Sequence, residues 1–207
     1  MHAALVVMAK APVPGRVKTR LCPPLDAEQA AALAEAALAD TLQAVARTPA
    51  ARRVVVLEGA PGSWLPAGFE ILAQRGASLG ERLSNAVRDI GEPLLLLGMD
   101  TPQVTRAQLR AALDALARPD TDAVIGPTED GGYWTAGLAA PDPAAFDGVP
   151  MSTAATAARQ RARLEELGLR TSELPALRDV DTYDDAVAVA AAAPWTRFAA
   201  TLELLTG

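Results

Sequence analysis

The chain of 207 residues contains one histidine, one cysteine and two lysines. Each scarcity removes a class of chemistry. With His2 as the sole imidazole, a Ser-His-Asp triad, an HExxH zinc site and a di-histidine metal centre are all excluded. One cysteine, Cys22, leaves no intramolecular disulfide and no multi-thiolate metal site. Between Leu21 and Pro23-Pro24 it is expected to pack as a small apolar residue. What remains for chemistry is carboxylates, cations, hydroxyls and a carboxylate-bound metal. No apolar run reaches the ~20 residues of a membrane-spanning helix, and Leu94–Leu97 falls far short. The N-terminal run lacks a secretory-signal layout, so the cytoplasm is the expected compartment. A net charge of −6 argues against a nucleic-acid partner, which calls for a basic face.

The two lysines, Lys10 and Lys18, share one loop, Lys10-Ala11-Pro12-Val13-Pro14-Gly15-Arg16-Val17-Lys18-Thr19-Arg20-Leu21. Elsewhere the chain uses arginine for positive charge. Four cations in eleven residues of an acidic protein point to a polyanion such as a di- or triphosphate. A lysine supplies a point charge and an arginine a planar fork for phosphate oxygens. A solvated basic turn is the plain alternative.

The apolar pattern alternates strands with helices. Strands are expected at Ala3–Met8, Arg53–Leu57, Glu70–Gln74, Pro93–Gly98, Ala123–Gly126, Tyr133–Leu138 and Arg170–Leu174. Helices are expected from an Asp26 cap to Arg47, and over Leu79–Ile90, Thr105–Ala117, Thr153–Leu167 and the alanine-rich C-terminal stretch. The alternation predicts one α/β domain, residues 1–207: a three-layer α/β/α sandwich around a mostly parallel sheet. No P-loop (GxxxxGK[ST]) and no GxGxxG fingerprint is present, which disfavours P-loop enzymes and dinucleotide dehydrogenases.

Three further segments follow strands, where open α/β sheets bind ligands. Leu94–Leu97 leads into Gly98-Met99-Asp100-Thr101-Pro102, and Asp100 is a candidate ligand for Mg²⁺ or Mn²⁺, or else a helix or turn cap. Gly126-Pro127-Thr128-Glu129-Asp130-Gly131-Gly132-Tyr133-Trp134 offers Asp130 as an acid/base group and two aromatics as a stacking surface; it also reads as a hairpin turn. In Asp179-Val180-Asp181-Thr182-Tyr183-Asp184-Asp185 the acids suit a helix start. If that segment is extended, Asp179 and Asp181 point the same way, and either could face Asp100 as a second metal ligand.

In this order the segments resemble the GT-A nucleotide-diphospho-sugar transferase superfamily. More closely they resemble the bacterial family that includes the arsenosugar-biosynthesis glycosyltransferases, which are related to small NTP transferases. The resemblance rests on K-x-P-x-P-G-x-x-K-T-R-L at Lys10 to Leu21, and on Gln74, Gly76, Leu79, Gly80 and Arg82. It is completed by Gly98, Asp100 and Pro102, Gly126 to Tyr133, and Asp179 to Asp185. It implies that Lys10, Gly15, Arg16, Lys18 and Arg20 bind phosphates, and that Gln74, Gly76 and Arg82 touch base, ribose or phosphates. It implies a divalent cation on Asp100 and Asp181, with Lys18 and Asp130 as catalytic groups. Ser78 stands where the family often has aspartate, and Met151-Ser152-Thr153 where Trp-Ser-Thr is usual; Ser152 and Thr153 are expected still to cap the next helix.

The expected function is transfer from a nucleotide-activated donor to a small-molecule acceptor. Glycosyl transfer from an NDP-sugar to a hydroxyl is favoured. The alternatives are nucleotidyl transfer to a phosphorylated small molecule with release of pyrophosphate, and a catalytically silent nucleotide-binding protein. A homodimer is the commonest arrangement for such a chain.

Overall fold

The computed structural model describes residues 3–207; His2 lies outside them. Seven strands form one sheet: β1 (Ala4–Lys10), β2 (Arg53–Glu58), β3 (Glu70–Ala73), β4 (Leu94–Leu97), β5 (Ala123–Pro127), β6 (Tyr133–Leu138) and β7 (Thr171–Glu173). Their order is β3-β2-β1-β4-β6-β5-β7. Only β6 runs against its neighbours, pairing antiparallel with β4 and β5, and every other ladder is parallel. The helices are α1 (Ala27–Ala46), α2 (Leu79–Ile90), α3 (Arg106–Leu116), α4 (Thr156–Glu166), α5 (Tyr183–Ala192) and α6 (Arg197–Thr206).

Period-2 alternation divides the core. Leu5, Val7 and Ala9 of β1, with Leu95 and Leu97 of β4, face Leu38, Leu42 and Val45 of α1 and Leu109 and Leu116 of α3. Ala4, Val6 and Met8, with Leu94 and Leu96, face Leu83, Val87 and Ile90 of α2 and Leu164 of α4. Both faces of the central strands are thus covered, which is why they read as unbroken apolar runs. Outside this sandwich, Phe198, Leu202 and Val189 of α5 and α6 pack on Ala30, Leu33 and Ala37 of α1. Helix α1 is therefore enclosed from two sides, and its alanines are what let helices approach on both. Cys22 packs against this outer cluster.

The caps fall where the polar residues predict. Asp26 and Gln29 form a capping box on α1, Thr105 and Gln108 one on α3, and Thr182 and Asp185 one on α5. The exception is α4, which begins at Thr156 and not Thr153. Ser152 sits in the left-handed region at φ 59°, and the Thr156 hydroxyl donates back to the Pro150 carbonyl at 3.0 Å. Those turns consume the three residues that the sequence pattern assigned to helix. No helix among the described residues is long and apolar enough to cross a membrane.

Candidate functional site

The chain moves outward from β1 to β2 and β3, then returns to place β4 on the opposite side of β1. At such a reversal the loops beyond the carboxyl ends of the two central strands diverge and leave a crevice. Here they are the cationic loop after β1 and the Gly98–Gln103 turn after β4. A cleft of about 270 Å³ opens there, lined by Lys10, Arg16, Lys18, Arg20, Asp100 and Asp181 among others.

Each cation reaches the cleft by a local device. Lys10 is the last residue of β1, and its amide donates to the Met99 Sδ at 3.2 Å, tying the two loops together. Gly15 turns the loop at φ 72° and is not among the residues that line the cleft. Lys18 sits in the left-handed region, φ 49° and ψ 35°, ahead of a single 3-10 turn at Thr19–Leu21. That conformation costs a side-chain-bearing residue about 1–2 kcal/mol, and it directs the ammonium inward. The Lys18 Nζ lies 2.7 Å from Asp100 Oδ1 and 3.8 Å from Asp181 Oδ1, and donates to the Val180 carbonyl. Its side chain is only 10% exposed, against about 40% for both carboxylates. Arg20 Nη1 donates to Asp181 Oδ2 at 2.8 Å. Among the described residues Arg16 makes no ion pair; it lines the cleft exposed.

Asp100 caps no helix, because Thr105 does that for α3. Its carbonyl accepts from the Val180 amide at 2.9 Å. Together with Lys18 and Gln103, whose side chains donate to the Val180 and Arg178 carbonyls, this bond holds residues 179–181 beside the β4 turn, where the Asp179 and Asp181 carboxylates approach each other. The hairpin between β5 and β6 completes the group: Asp130, Asp179 and Asp181 each present an oxygen within 4.8 Å of the others. Asp130 serves the turn as well, since its Oδ1 accepts from the Thr128 hydroxyl at 2.6 Å and the Gly132 amide at 2.8 Å. Asp181 belongs to both the triplet and the Lys18-bridged pair with Asp100. Clustered carboxylates around a site that already holds an ammonium are hard oxygen donors of the kind Mg²⁺ and Mn²⁺ take.

Asp179 shows the electrostatic cost of this crowding. Burial, then the charges of Asp130 and Asp181, push its carboxyl up to about 6, with Lys18 opposing them. A carboxyl whose folded pKa exceeds its unfolded value contributes stability below pH ~4 that is lost as pH rises through about 6. Without metal, Asp179→Asn is therefore expected to stabilise the protein at pH 8 by on the order of 1 kcal/mol, and to have no such effect at pH 4. Thermal melts at the two pH values check this; equal gains at both would refute it.

Not every residue singled out from the sequence enters the cleft. Gln74 Nε2 donates to the carbonyls of Ala9 and Val56 at 2.8 and 3.1 Å, so it braces the strands above β3. Its Oε1 accepts from Arg82 Nη1 at 3.2 Å, and Arg82 also pairs with Glu58. Gly76, at φ 131°, accepts from Arg82 Nε at 3.2 Å. These three build the wall beside the cleft, and none lines it. Trp134 is buried, its indole N–H donating to the Pro175 carbonyl at 3.1 Å, and offers no stacking surface. Burial raises the Tyr133 phenol pKa above its usual range, and its hydroxyl turns to Gln160. Sequence reasoning passed over Glu58, which ends β2, lies 3.4 Å from Lys10 Nζ and is held below the usual carboxylate range by Arg82 and then Lys10. A lone acid closing a β-branched strand beside the cationic loop was its only signal.

The chain is 36% identical over 180 residues to a phosphoenolpyruvate guanylyltransferase of Conexibacter woesei, covering 81% of this chain and 79% of that one. Its backbone overlays a candidate nucleotide-diphospho-sugar transferase from Desulfovibrio desulfuricans G20 with a TM-score of 0.88 and 28% identity, across 98% and 95% of the two chains. The manganese complex of Rv0371c from Mycobacterium tuberculosis H37Rv shares the fold, with a TM-score of 0.57, 18% identity and coverage of 91% and 98%. The sheet and its flanking helices are thus those of the nucleotide-diphospho-sugar transferase fold. By the match of residues 30–153 to its model, the chain belongs to the family described as uncharacterized protein conserved in bacteria, DUF2064.

Proposed function

We propose that this chain is a metal-dependent nucleotidyltransferase that joins a nucleoside triphosphate to a phosphorylated small molecule and releases pyrophosphate. The observation that carries the reading is the convergence of Arg16, Lys18 and Arg20 with Asp100 and Asp181 on one cleft. Three cations exceed what a diphosphate leaving group needs and suit a triphosphate. The similarity to a guanylyltransferase supports the same choice.

Asp100 and Asp181, joined by Asp179 or Asp130, would hold Mg²⁺ or Mn²⁺. That ion would supply charge neutralisation at the phosphates and orient the reacting groups. The chain's own residues do the rest. Arg16 and Arg20 grip the β- and γ-phosphates as pyrophosphate leaves, and Lys18 neutralises charge developing on the bridging oxygen. An acceptor phosphate arrives already ionised, so attack on the α-phosphorus needs no strong base. Asp130, itself a carboxylate, would meet such an acceptor only through the cation that it could help Asp179 and Asp181 to hold.

Glycosyl transfer from an NDP-sugar to a small hydroxyl, the chemistry of the arsenosugar branch, is the second reading. The close overlay on the nucleotide-diphospho-sugar-transferase candidate favours it, and Asp130 would then deprotonate the acceptor. A panel of NTPs and NDP-sugars, each with Mn²⁺ or EDTA, separates the two by thermal shift and by pyrophosphate release with phosphoenolpyruvate as a first acceptor. Pyrophosphate formed from one NTP supports nucleotidyl transfer. Stabilisation by an NDP-sugar alone, with no pyrophosphate, would replace it with glycosyl transfer.

A further inference from the structure

The Lys18 ammonium occupies the position between two carboxylates that the proposed function gives to a divalent cation. It contacts Asp100 Oδ1 at 2.7 Å, approaches Asp181 Oδ1 at 3.8 Å and donates to the Val180 carbonyl. Together with Arg20, 2.8 Å from Asp181 Oδ2, it matches the two negative charges of the pair with two positive ones. Its backbone is left-handed and its side chain nearly enclosed, whereas Lys10, the only other lysine, lies on the surface at 41% exposure.

We propose that Lys18 is the resident counter-ion of the Asp100–Asp181 pair, and that a divalent cation must displace it to bind. The inference rests on the metal assignment made above. Two cations cannot share the same carboxylate oxygens at contact distance without strong repulsion. Once displaced, the ammonium swings into the cleft beside Arg16 and Arg20, where only an anion can partner it. Metal entry thereby creates the phosphate-binding lysine, and phosphates in turn stabilise the displaced form. Metal and nucleotide each make the other bind more tightly, as reciprocal linkage requires. In the free protein the lysine keeps the carboxylates neutralised and weakens their hold on metal.

Having only two lysines makes the proposal directly measurable on the native protein. Amines are labelled by reductive methylation and read by peptide mass spectrometry, with Lys10 as internal standard. Lys18 is expected to be protected in EDTA, to label about tenfold faster relative to Lys10 with Mn²⁺ alone, and to be protected again when a nucleoside triphosphate is added. An unchanged Lys18-to-Lys10 ratio on adding saturating Mn²⁺ overturns the proposal. Binding of Mn²⁺ without nucleotide, followed by electron paramagnetic resonance, gives an independent readout. Lys18→Met is expected to bind Mn²⁺ about tenfold more tightly than wild type, yet to lose most of the gain in Mn²⁺ affinity that nucleotide brings. Equal or weaker Mn²⁺ binding by Lys18→Met, in a protein whose binding Asp181→Asn abolishes, overturns the displacement and leaves the metal assignment standing. Binding that Asp181→Asn does not change overturns both.

Discussion

Asp100→Asn is expected to weaken the Mn²⁺-dependent binding of a nucleoside triphosphate by at least about 30-fold, some 2 kcal/mol, while the protein stays folded. Asparagine keeps the shape but removes the charge, and a divalent ion favours an ionised carboxylate over a neutral amide. The fold should survive because the structural bond from this residue is made by its backbone: the carbonyl accepts from the Val180 amide at 2.9 Å. The lost pair leaves an ammonium only 10% exposed, but Asp181 at 3.8 Å and the Val180 carbonyl still partner it, so the cost to stability is about 1–2 kcal/mol. Calorimetric titration of wild type and variant with Mn²⁺ and nucleotide makes the comparison, with a thermal melt as control. An unchanged affinity would remove Asp100 from the metal site.

Gly131→Ala is expected to be the most damaging single-methyl change in the hairpin that carries Asp130. A Cβ at Gly131 would lie 2.0 Å from the Ala154 carbonyl oxygen, and the residue is at φ 91°. The obstacle is backbone, so it cannot swing away. The glycine is also bonded on both sides: its amide donates to the Thr128 carbonyl at 3.1 Å, and its carbonyl accepts from the Ala157 amide at 2.8 Å. Relief means lifting the turn away from the start of α4, at a cost of about 2–4 kcal/mol. That corresponds to a melting point lower by roughly 5–15 °C for a domain of this size. Asp130 would move with the turn, and Mn²⁺ affinity should fall too. Gly148→Ala is the control, with φ 74° but nothing within 4 Å of its Cβ, and should cost only the ~1 kcal/mol of the left-handed backbone. A Gly131→Ala protein that melts within about 1 °C of wild type would show that the turn is free of α4.

Much of this molecule was written in local chemistry. All seven strands were legible within a residue or two: the central ones as apolar runs, because strands buried on both faces have no polar side to blur them, and the exposed edge strands β3 and β7 from their place between turns and helices. Asp26 announced α1 through a cap whose geometry depends only on neighbours along the chain. Both lysines, singled out for sharing one loop, line one side of the cleft, and Asp100 after β4 and Asp181 ahead of α5 line the other. Of the two readings of Asp130 the turn is present, its Oδ1 accepting from the Thr128 hydroxyl and the Gly132 amide. One carboxylate oxygen of Asp130 also lies within 4.8 Å of one each from Asp179 and Asp181.

Partnership is what no local pattern contained. Sequence by itself determined the element order, the parallel bias of the sheet and the residue types available for chemistry, because these follow from periodicity, caps and composition. Only the tertiary structure decided that Lys18 lies between Asp100 and Asp181, that Glu58 gathers Lys10 and Arg82, and that Gln74 braces strands instead of lining the cleft. Those pairings join residues on different elements, Lys18 and Asp181 being the farthest apart in sequence. They are set by strand order at the β1/β4 reversal and by one backbone bond from Val180 to Asp100, quantities that depend on the whole sheet closing at once.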